Sequence, residues 1–452
     1  MTARMKLFGT NGVRGVVNEF LSPDFVMKIG KSIGTTMKGN IAVATDTRTS
    51  NIMLKNALVS GILSTGSSVV DTGVVPTPAL QYHVKTGRYA GGVVITASHN
   101  PPQFNGVKAI AADGTESSKE EENSIEDTYY SEKFSRATWN GVGSYSAHES
   151  CSMEYIHAIT SKVKREAISS RKFTVVLDCS NGASCYTAPY LMELLGVRVL
   201  TINASPQGSF PGHESEPTPD NLKDLVRMVK TAGADMGIAH DGDADRAVFV
   251  DENGRYIPGE LSLALTAKEM VRKKKGGIVV VPVSTPSVVE EAAREFGGRT
   301  VYTRVGSPVV ARKMMETGAI IGGEENGGII NPDMQYCRDG GMTSAKMLEI
   351  VAEHGTLSKL IDELPRFYTV KLKVEVHGKQ LDTVMAEVKK NVRSAKIDET
   401  DGLKIFLDDG WVLVRASGTE PLIRIFAESV DEKKAGMRAD EYRKLVEEIV
   451  AH

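Results

Sequence analysis

The chain has few cysteines, no excess charge of either sign and no long hydrophobic run. Its 452 residues include four cysteines, with neither a CxxC pair nor the histidine spacing of a zinc site. So few thiols in so long a chain are typical of reduced cysteines in a reducing compartment. The net charge of −3 gives no global attraction to nucleic acid or membrane. No apolar run reaches about 18 residues, and residues 1–8 resemble no signal peptide. We therefore expect a cytoplasmic protein without nucleic-acid or membrane partners.

Two common motifs are also missing. The chain has no G-x-x-x-x-G-K-[ST] phosphate loop, so a nucleotide is not implied. The serine discussed below does not stand in a G-x-S-x-G elbow, which argues against a serine hydrolase of that type.

One arrangement of short apolar runs and helical segments occurs three times. Each copy ends in a polar loop, around Ser98, Asp241 and Glu324 respectively. The predicted strands are 41–44, 68–70 and 92–95, then 173–177, 197–200 and 236–239, then 278–281, 300–302 and 319–321. The intervening helices are expected at 54–63, 191–195, 220–230, 288–295 and 309–315. Such alternation predicts sheets with parallel strands, whose ligands gather at the carboxyl ends of the strands.

After Pro365 the pattern changes to consecutive strands flanked by helices, which is typical of an antiparallel α+β domain. We predict three similar α/β domains with mixed, mainly parallel sheets plus this C-terminal α+β domain, arranged around one central cleft. The expected domains are residues 1–150, 151–253, 254–366 and 367–452. A helix with a capping box at Ser118 and Glu121 is also expected in the acidic stretch of the first domain.

Ser98 lies in the sequence Thr-Ala-Ser-His-Asn-Pro-Pro, directly after an apolar run. It is either a turn-forming serine, as most serines beside Asn and Pro are, or a hydroxyl nucleophile. His99 follows it, and on an extended backbone the two side chains would point apart. We therefore expect His99 to contact solvent or to form hydrogen bonds, rather than to act as a base for Ser98.

Three carboxylates, Asp241, Asp243 and Asp245, alternate with small residues and precede Arg246. Three acids this close repel one another unless a cation lies between them, and Mg²⁺ prefers such oxygen ligands. An EF-hand loop would need Gly at the position of Arg246 and a preceding helix, so calcium is disfavoured. A phosphoaspartate phosphatase remains an alternative, although it leaves Asp245 and Arg246 without a role.

Three further loops carry polar side chains. Residues 323–328, Gly-Glu-Glu-Asn-Gly-Gly, are either a glycine turn with solvated acids or a site for sugar hydroxyls. Residues 415–424 place two arginines and two hydroxyls between strands, which indicates a phosphate cradle or a plain hairpin loop. Residues 9–15 are glycine-rich and carry Arg14, a weak signal on its own.

The basic run 272–275 is expected to be the solvated end of a helix.

These five motifs, in this order and across essentially the whole chain, resemble the α-D-phosphohexomutase superfamily. Its members include phosphoglucomutase, phosphomannomutase and phosphoglucosamine mutase, and the resemblance is to the archaeal phosphoglucosamine mutases and phosphomannomutase/phosphoglucomutases in particular. It implies an isomerase that moves a phosphoryl group between the 6- and 1-positions of a hexose phosphate, through a phosphoserine and a hexose bisphosphate. It also implies a phosphoserine domain, a metal-binding domain, a sugar-binding domain and a phosphate-binding domain, in chain order.

The resemblance assigns a role to each site residue. Ser98 would be the phosphorylated serine, Lys108 and Arg246 would assist proton transfer, and Arg14 would lie near the phosphoserine. One Mg²⁺ per chain would bind the Ser98 phosphate together with the three aspartates. The substrate-binding residues would be Glu324 and Asn326 for sugar hydroxyls, and Arg415, Ser417, Gly418, Thr419 and Arg424 for the distal phosphate.

The resemblance leaves the sugar less certain than the reaction. Bacterial phosphoglucosamine mutases usually have Ser at the position of Asn326, and some phosphomannomutases have His at the position of Gly328. We expect glucosamine 6-phosphate and glucosamine 1-phosphate as the substrate pair, with mannose or glucose phosphates as the alternative. A metal-dependent phosphatase and a non-catalytic sugar-phosphate binding protein are remoter alternatives. Either a monomer or a homo-oligomer is expected.

Overall fold

The computed structural model describes residues 6–9, 11–376, 380–392, 396–417 and 420–451. The chain divides into two compact units. The first comprises Met1–Ser262 and Asn326–Ile361, and the second comprises Leu263–Glu325 and Asp362–His452.

The first unit begins with a six-stranded mixed sheet. Its elements are β1 (Val13–Val16), α1 (Pro23–Met37), β2 (Asn40–Thr45), α2 (Asn51–Leu63), β3 (Ser68–Val74), α3 (Thr77–Thr86), β4 (Gly91–Ile95), β5 (Phe104–Ile110), α4 (Lys119–Ser131) and β6 (Tyr145–Ala147). The strand order is β1-β5-β4-β2-β3-β6, with β4, β2, β3 and β6 mutually parallel and β5 antiparallel to both of its neighbours. The capping box predicted for α4 is confirmed: the Ser118 side chain accepts from the Glu121 backbone, and the Glu121 side chain accepts in return.

Helices α1 and α2 pack closely because glycines face the contact. A Cβ on Gly30 would lie 2.3 Å from the carbonyl oxygen of Leu58, and one on Gly61 would lie 2.2 Å from that of Met27. Strand β2 lies inside the sheet, next to β4, in register from Ile41 opposite Gly91 to Thr45 opposite Ile95. The loops after β2 and β4 therefore emerge side by side.

A second mixed sheet follows in the same unit, with strand order β11-β10-β9-β7-β8. Its elements are α5 (Cys151–Thr160), α6 (Arg165–Ser170), β7 (Thr174–Asp178), α7 (Ala188–Leu194), β8 (Arg198–Ile202), α8 (Lys223–Ala232), β9 (Met236–His240), β10 (Ala247–Asp251) and β11 (Tyr256–Ile257). Strand β9 is parallel to β7 and antiparallel to β10, with His240 opposite Ala247. The residues between β9 and β10, including the three aspartates, thus form the turn of a hairpin.

The second unit combines a parallel sheet with an antiparallel one. Its first part contains most of α9 (Gly259–Lys274), then β12 (Gly277–Pro282), α10 (Ser287–Arg294), β13 (Gly298–Thr303), α11 (Ser307–Thr317) and β14 (Ile321–Gly323), with β12 parallel to β13 and β14. The chain then contributes β15 (Ile329–Ile330), α12 (Gly340–His354) and α13 (Leu357–Asp362), of which all but Asp362 belong to the first unit.

The C-terminal sheet has strand order β16-β20-β19-β18-β17, and each neighbouring pair for which a register is defined is antiparallel. Its elements are β16 (Tyr368–Glu375), α14 (Leu381–Asn391), β17 (Ile397–Asp398), β18 (Leu403–Leu407), β19 (Gly410–Ala416), β20 (Leu422–Ser429) and α15 (Glu432–Ala451). The predicted change to an α+β pattern is confirmed, as is the end of α9 at the basic run.

Most predicted elements are present, with small shifts. Helix α7 starts three residues before the prediction, α8 starts three residues after it, and β14 lies two residues later than expected. Among the described residues, no helix is both long and apolar enough to cross a membrane. The four cysteines all lie in the described part of the chain and are free thiols there, as expected.

Candidate active site

Ser98 is held in an unusual backbone conformation just after β4. Its φ is +53°, in the left-handed region that side-chain-bearing residues rarely adopt. The Ser98 amide donates to Thr96 Oγ1 at 2.9 Å, and the side chain is fully buried. Such a strained, buried serine needs support from its surroundings, and strain of this kind concentrates at functional sites.

Arg48, in the loop after β2, supplies that support. Its guanidinium donates to the carbonyl oxygens of Ser98 at 2.9 Å and Asn100 at 2.6 Å. It also donates to the carbonyl oxygens of Pro101 at 2.7 Å and Phe104 at 2.9 Å. An ion pair with Asp46 fixes the guanidinium, with Arg48 Nε 3.1 Å from Asp46 Oδ2. The loop around Ser98 is therefore clamped by one buried arginine, a residue that the sequence analysis did not single out.

The hairpin turn between β9 and β10 brings its carboxylates to Ser98. Ser98 Oγ donates to Asp241 Oδ2 at 2.9 Å. Asp243 Oδ2 accepts from Thr77 Oγ1 at 2.6 Å, at the start of α3. The three aspartates are buried, and their ligand oxygens lie within 4.8 Å of one another. The two polar loops that the first two repeats predicted thus meet in one site.

Three cationic side chains surround these carboxylates. Lys108 Nζ lies 2.6 Å from Asp243 Oδ2 and 3.5 Å from Asp245 Oδ2. It reaches them because β5 pairs with β4 in a register that sets Lys108 opposite Val94, near the end of β4. Arg338, which the sequence analysis missed, donates from Nη2 to Asp245 Oδ2 at 2.5 Å. The third cation is Arg246, described next with His99.

His99 lies closer to Ser98 than the sequence analysis expected. That expectation assumed an extended backbone, whereas the positive φ of Ser98 brings His99 Nδ1 to 3.4 Å from Ser98 Oγ. His99 Nδ1 also accepts from Arg246 Nη2 at 2.9 Å. Burial, together with Arg246 and Arg14, lowers the pKa of His99 to about 2, so the ring is neutral. The hydrogen-bonding role is confirmed, and the opposed orientation was wrong.

The charges of the aspartates differ with their neighbours. Burial, then the proximity of Asp245 and Asp243, raises the pKa of Asp241 to about 8. Burial also disfavours the charged form of Asp243, but the adjacent Lys108 ammonium outweighs it and holds the Asp243 pKa well below its usual range. The site thus has one carboxylate firmly charged and another that needs an additional cation to ionise at neutral pH.

The aspartate cup fits a divalent metal ion. Asp243 Oδ1 and Asp245 Oδ1 are buried and have no hydrogen-bond partner among the described residues. Leaving buried carboxylate oxygens unpaired is costly, and a hard cation with oxygen ligands would satisfy both of them. Asp241, Asp243 and Asp245 can therefore hold Mg²⁺. The strand conformation of Met236–His240 before the turn also agrees with the rejection of an EF-hand.

Arg14 flanks the serine loop as the resemblance implied. Its Nη1 donates to the carbonyl oxygen of Ala97 at 3.2 Å and to Asn100 Oδ1 at 2.7 Å. Strand β1 places it there through the antiparallel pairing of Arg14 with Gly106 on β5. The guanidinium therefore lies next to the residues on both sides of Ser98.

The predicted sugar-binding loop is divided between the two units. Asn326 belongs to the first unit and is exposed, and its Oδ1 accepts from the Gly328 amide at 3.2 Å. The Gly327 carbonyl accepts from the amide of Ala247, the residue after Arg246, at 3.1 Å. This half of the loop therefore borders the aspartate hairpin. Glu324 belongs to the second unit and is buried. A cleft shared with Glu324 stays a prediction.

The predicted phosphate cradle lies in the second unit. Arg415 on β19 stands directly opposite Arg424 on β20. Arg415 pairs with Asp401 Oδ2 at 3.0 Å, and Ser417 is buried beside this pair of strands. Arg424 Nη2 in turn lies 3.2 Å from Glu420 Oε2, so each of the two like-charged side chains has a carboxylate partner, and the role in phosphate binding stays a prediction. Gly418 and Thr419 lie outside the described residues.

Comparisons with known proteins agree with this geometry. Models for phosphoglucomutase/phosphomannomutase match the chain in four consecutive parts: α/β/α domain I at residues 5–136, domain II at 153–254, domain III at 258–368 and the C-terminal domain at 370–445. The chain belongs to the phosphoglucomutase/phosphomannomutase family. This membership confirms the resemblance and the four-domain α/β fold expected from the sequence.

Individual relatives extend over nearly the whole chain. The "Phosphoglucomutase/phosphomannomutase" of Thermococcus kodakarensis is 48% identical and covers 98% of this chain and 99% of its own. The "Phosphoglucosamine/phosphogalactosamine mutase" of Sulfurisphaera tokodaii is 42% identical, with coverage of 98% and 99%. A crystal structure of a phosphoglucomutase/phosphomannomutase family protein from Burkholderia thailandensis superposes with a TM-score of 0.89 at 27% identity, covering 98% of this chain and 97% of that one.

Proposed function

We propose that the protein is a Mg²⁺-dependent phosphohexomutase, in which Ser98 carries the phosphoryl group. The observation that carries the proposal is the 2.9 Å hydrogen bond from Ser98 Oγ to Asp241, within a cup of three buried carboxylates. A hydroxyl at the rim of a metal cup is placed for phosphoryl transfer, which depends mainly on positioning and on compensation of charge. The family membership supports the same conclusion.

The reaction proceeds in two transfers. A hydroxyl oxygen of the sugar monophosphate attacks the phosphorus of phospho-Ser98, the bond from phosphorus to Ser98 Oγ breaks, and the sugar becomes a bisphosphate. The bisphosphate then turns over, and Ser98 Oγ attacks its other phosphorus, which regenerates phospho-Ser98 and releases the isomeric monophosphate. Mg²⁺, when bound, neutralises charge on the transferring phosphate.

The chain's own residues perform the remaining tasks. Phosphoserine carries nearly two negative charges, which Arg14, Arg246 and Lys108 offset from their positions around the serine loop and the aspartates. The proton that the sugar hydroxyl loses is balanced by the one that Ser98 Oγ gains when its bond to phosphorus breaks, and Lys108 and Arg246 are the candidates for assisting this transfer as charged hydrogen-bond donors. Arg415, Ser417 and Arg424, with Gly418 and Thr419, would hold the phosphate that does not react. Fixing that phosphate orients the sugar for attack.

Glucosamine 6-phosphate and glucosamine 1-phosphate are the proposed substrate pair, with Glu324 and Asn326 contacting the sugar. A specific observation favours a second candidate: the relative at 48% identity is named for glucose and mannose phosphates. The proposed enzyme acts on small sugar phosphates, uses a hexose bisphosphate as primer, and, given its free thiols, works in the cytoplasm.

A kinetic comparison tests the proposal. Turnover is measured on glucosamine, mannose and glucose monophosphates with Mg²⁺ and a catalytic amount of the matching bisphosphate. We expect Ser98→Ala to bind sugar phosphate but lose turnover, whereas Ser64→Ala, an exposed serine at the end of α2, keeps the wild-type rate. A wild-type rate in Ser98→Ala would refute the role of Ser98. Release of inorganic phosphate instead of isomerisation would favour the phosphatase alternative.

A further inference from the structure

Two histidines and a glutamate converge where the first domain passes into the second. His83 lies in the last turn of α3, His148 directly follows β6, and Glu154 lies in the first turn of α5. Strand β6 extends the first sheet by pairing with β3, and the His148 amide continues the pairing by donating to the Asp71 carbonyl at 2.8 Å. The strand pairing therefore fixes the backbone of His148 beside His83, outside the proposed active site.

The three side chains present their ligand atoms to one another. His83 Nδ1 lies 3.3 Å from Glu154 Oε2, and His148 Nε2 lies 2.9 Å from Glu154 Oε1. The two imidazole rings are stacked, with centroids 4.3 Å apart. All three ligand atoms lie within 4.8 Å of one another. Two ligands of a tetrahedral Zn²⁺ stand about 3.4 Å apart, so small side-chain rotations bring this set onto one ion.

Tyr89, outside the three-residue cluster, contacts the other ring nitrogen of His83. The Tyr89 hydroxyl lies 2.7 Å from His83 Nε2, the ring nitrogen that faces away from Glu154. Metal-binding histidines usually have such a partner on the other nitrogen, because it fixes the ring orientation and the tautomer. With Nε2–H donating to Tyr89, Nδ1 keeps its lone pair for a metal.

Solvent reaches the cluster. His83, Tyr89 and Glu154 line a pocket of ≈ 370 Å³. The side chains of His148 and Glu154 are 32% and 44% exposed. A metal ion can therefore enter without unfolding, and water can complete the coordination as a fourth ligand.

We propose that His83, His148 and Glu154 form a binding site for a borderline transition metal ion, of which Zn²⁺ is the best match. Two imidazoles and one carboxylate suit Zn²⁺, whereas the three carboxylates near Ser98 suit Mg²⁺. The bound ion would link α3 and β6 of the first domain to α5 of the second. It would stabilise the junction between these domains, independently of the phosphoryl-transfer chemistry.

The test uses the full-length protein, freed of metal by a chelator and then returned to excess Mg²⁺, which competes with Zn²⁺ for the aspartate cup. Zn²⁺ is titrated by calorimetry, and Co²⁺ is titrated while its visible absorption is recorded. The variants are His148→Ala and Glu154→Gln. The matched control is His157→Ala, an exposed histidine on the same helix as Glu154. Tyr89→Phe tests the supporting hydrogen bond.

We expect one Zn²⁺ per wild-type chain under these conditions and tetrahedral Co²⁺ bands. His148→Ala and Glu154→Gln should bind Zn²⁺ at least about tenfold more weakly, and Tyr89→Phe about 10- to 100-fold more weakly, while His157→Ala matches wild type. Zn²⁺ should also raise the melting temperature of wild type but not of His148→Ala. Absence of binding in wild type, or unchanged binding in both His148→Ala and Glu154→Gln, would overturn the proposal.

Discussion

Removing the guanidinium of Arg48 should dislodge the loop that holds Ser98. In Arg48→Met the aliphatic part of the side chain remains, but four carbonyl oxygens of the loop lose their shared donor. The variant also leaves Asp46 buried without its cation. The arginine is 2% exposed, so water replaces these contacts only if the loop moves.

The expected loss of stability and of kcat in Arg48→Met can be worked out from these contacts. Removing one partner of a buried ion pair costs about 3–5 kcal/mol, because the other charge stays buried and unpaired. Leaving the four carbonyl oxygens without a hydrogen-bond donor would add to this cost, but the loop can move so that water donates to them instead. We therefore expect a local loss of about 4 kcal/mol, and a displacement of Ser98 by about 1 Å would reduce kcat by roughly 100-fold.

The loss of stability in Arg48→Met should depend on pH, and the pKa of Asp46 sets the direction of that dependence. Burial raises the pKa of Asp46 even in the intact protein, although Arg48 opposes this. Without Arg48 the folded-state pKa rises further, so the folded state binds a proton that the unfolded state releases above its own pKa of about 3.9. The destabilisation of Arg48→Met should therefore grow as the pH rises from weakly acidic to neutral, and Asp46→Asn should partly suppress it in the double variant.

Hydrogen exchange followed by mass spectrometry measures this locally, which suits a protein of several domains. Amides in residues 96–106 should exchange up to about 1000-fold faster in Arg48→Met, since each 1.4 kcal/mol is tenfold. The control is Arg227→Met, an exposed arginine paired with Asp224 at 2.8 Å, which should change stability by less than about 1 kcal/mol. Unchanged exchange in 96–106 together with wild-type turnover would refute the clamp.

Three further predictions concern buried or paired cations. Lys404 lies 4.3 Å from the Trp411 ring, and burial lowers its pKa to about 8. Between about pH 8 and 10.5 the unfolded state therefore binds more protons than the folded state, and the free energy of unfolding should rise by about 3 kcal/mol over that range. Melting measured against pH should show this rise in wild type and not in Lys404→Met. Arg415→Met should raise KM and lower kcat in steady-state assays, because the proposed phosphate anchor both binds and orients; unchanged kinetics would exclude it. Lys108→Met should lower kcat by at least about 100-fold, since it removes a candidate proton carrier and the partner of Asp243; a full rate would remove Lys108 from the chemistry.

The sequence was sufficient to predict that the loops around Ser98 and Asp241 meet. The repeated strand and helix pattern set Ser98 and Asp241 at the ends of β4 and β9, and the structure joins these two residues by a hydrogen bond. The alternation of acids in the hairpin turn also predicted the metal cup. Both signals are local, because a strand end and a run of acids are visible within a few residues.

The surrounding side chains could not be predicted in the same way. Arg338 reaches Asp245 across 93 positions of sequence, and Thr77 reaches Asp243 across 166. No local pattern marks such partners. Arg48 did carry a signal, since it follows a strand end with Asp46, but only the fold shows that its carbonyl partners lie after the neighbouring strand. The orientation of His99 depended on one left-handed residue, which its sequence context does not reveal.

The phosphorylation state of Ser98 tests the central claim most directly. The protein is incubated with Mg²⁺ and a hexose bisphosphate whose phosphates carry ¹⁸O, digested and analysed by peptide mass spectrometry. A second sample is chased with excess unlabelled sugar monophosphate before digestion. We expect one ¹⁸O-labelled phosphate on the peptide containing Ser98, which the chase replaces with unlabelled phosphate, and no label in Ser98→Ala. Phosphate found only on another residue, or a label on Ser98 that the chase cannot remove, would contradict the account.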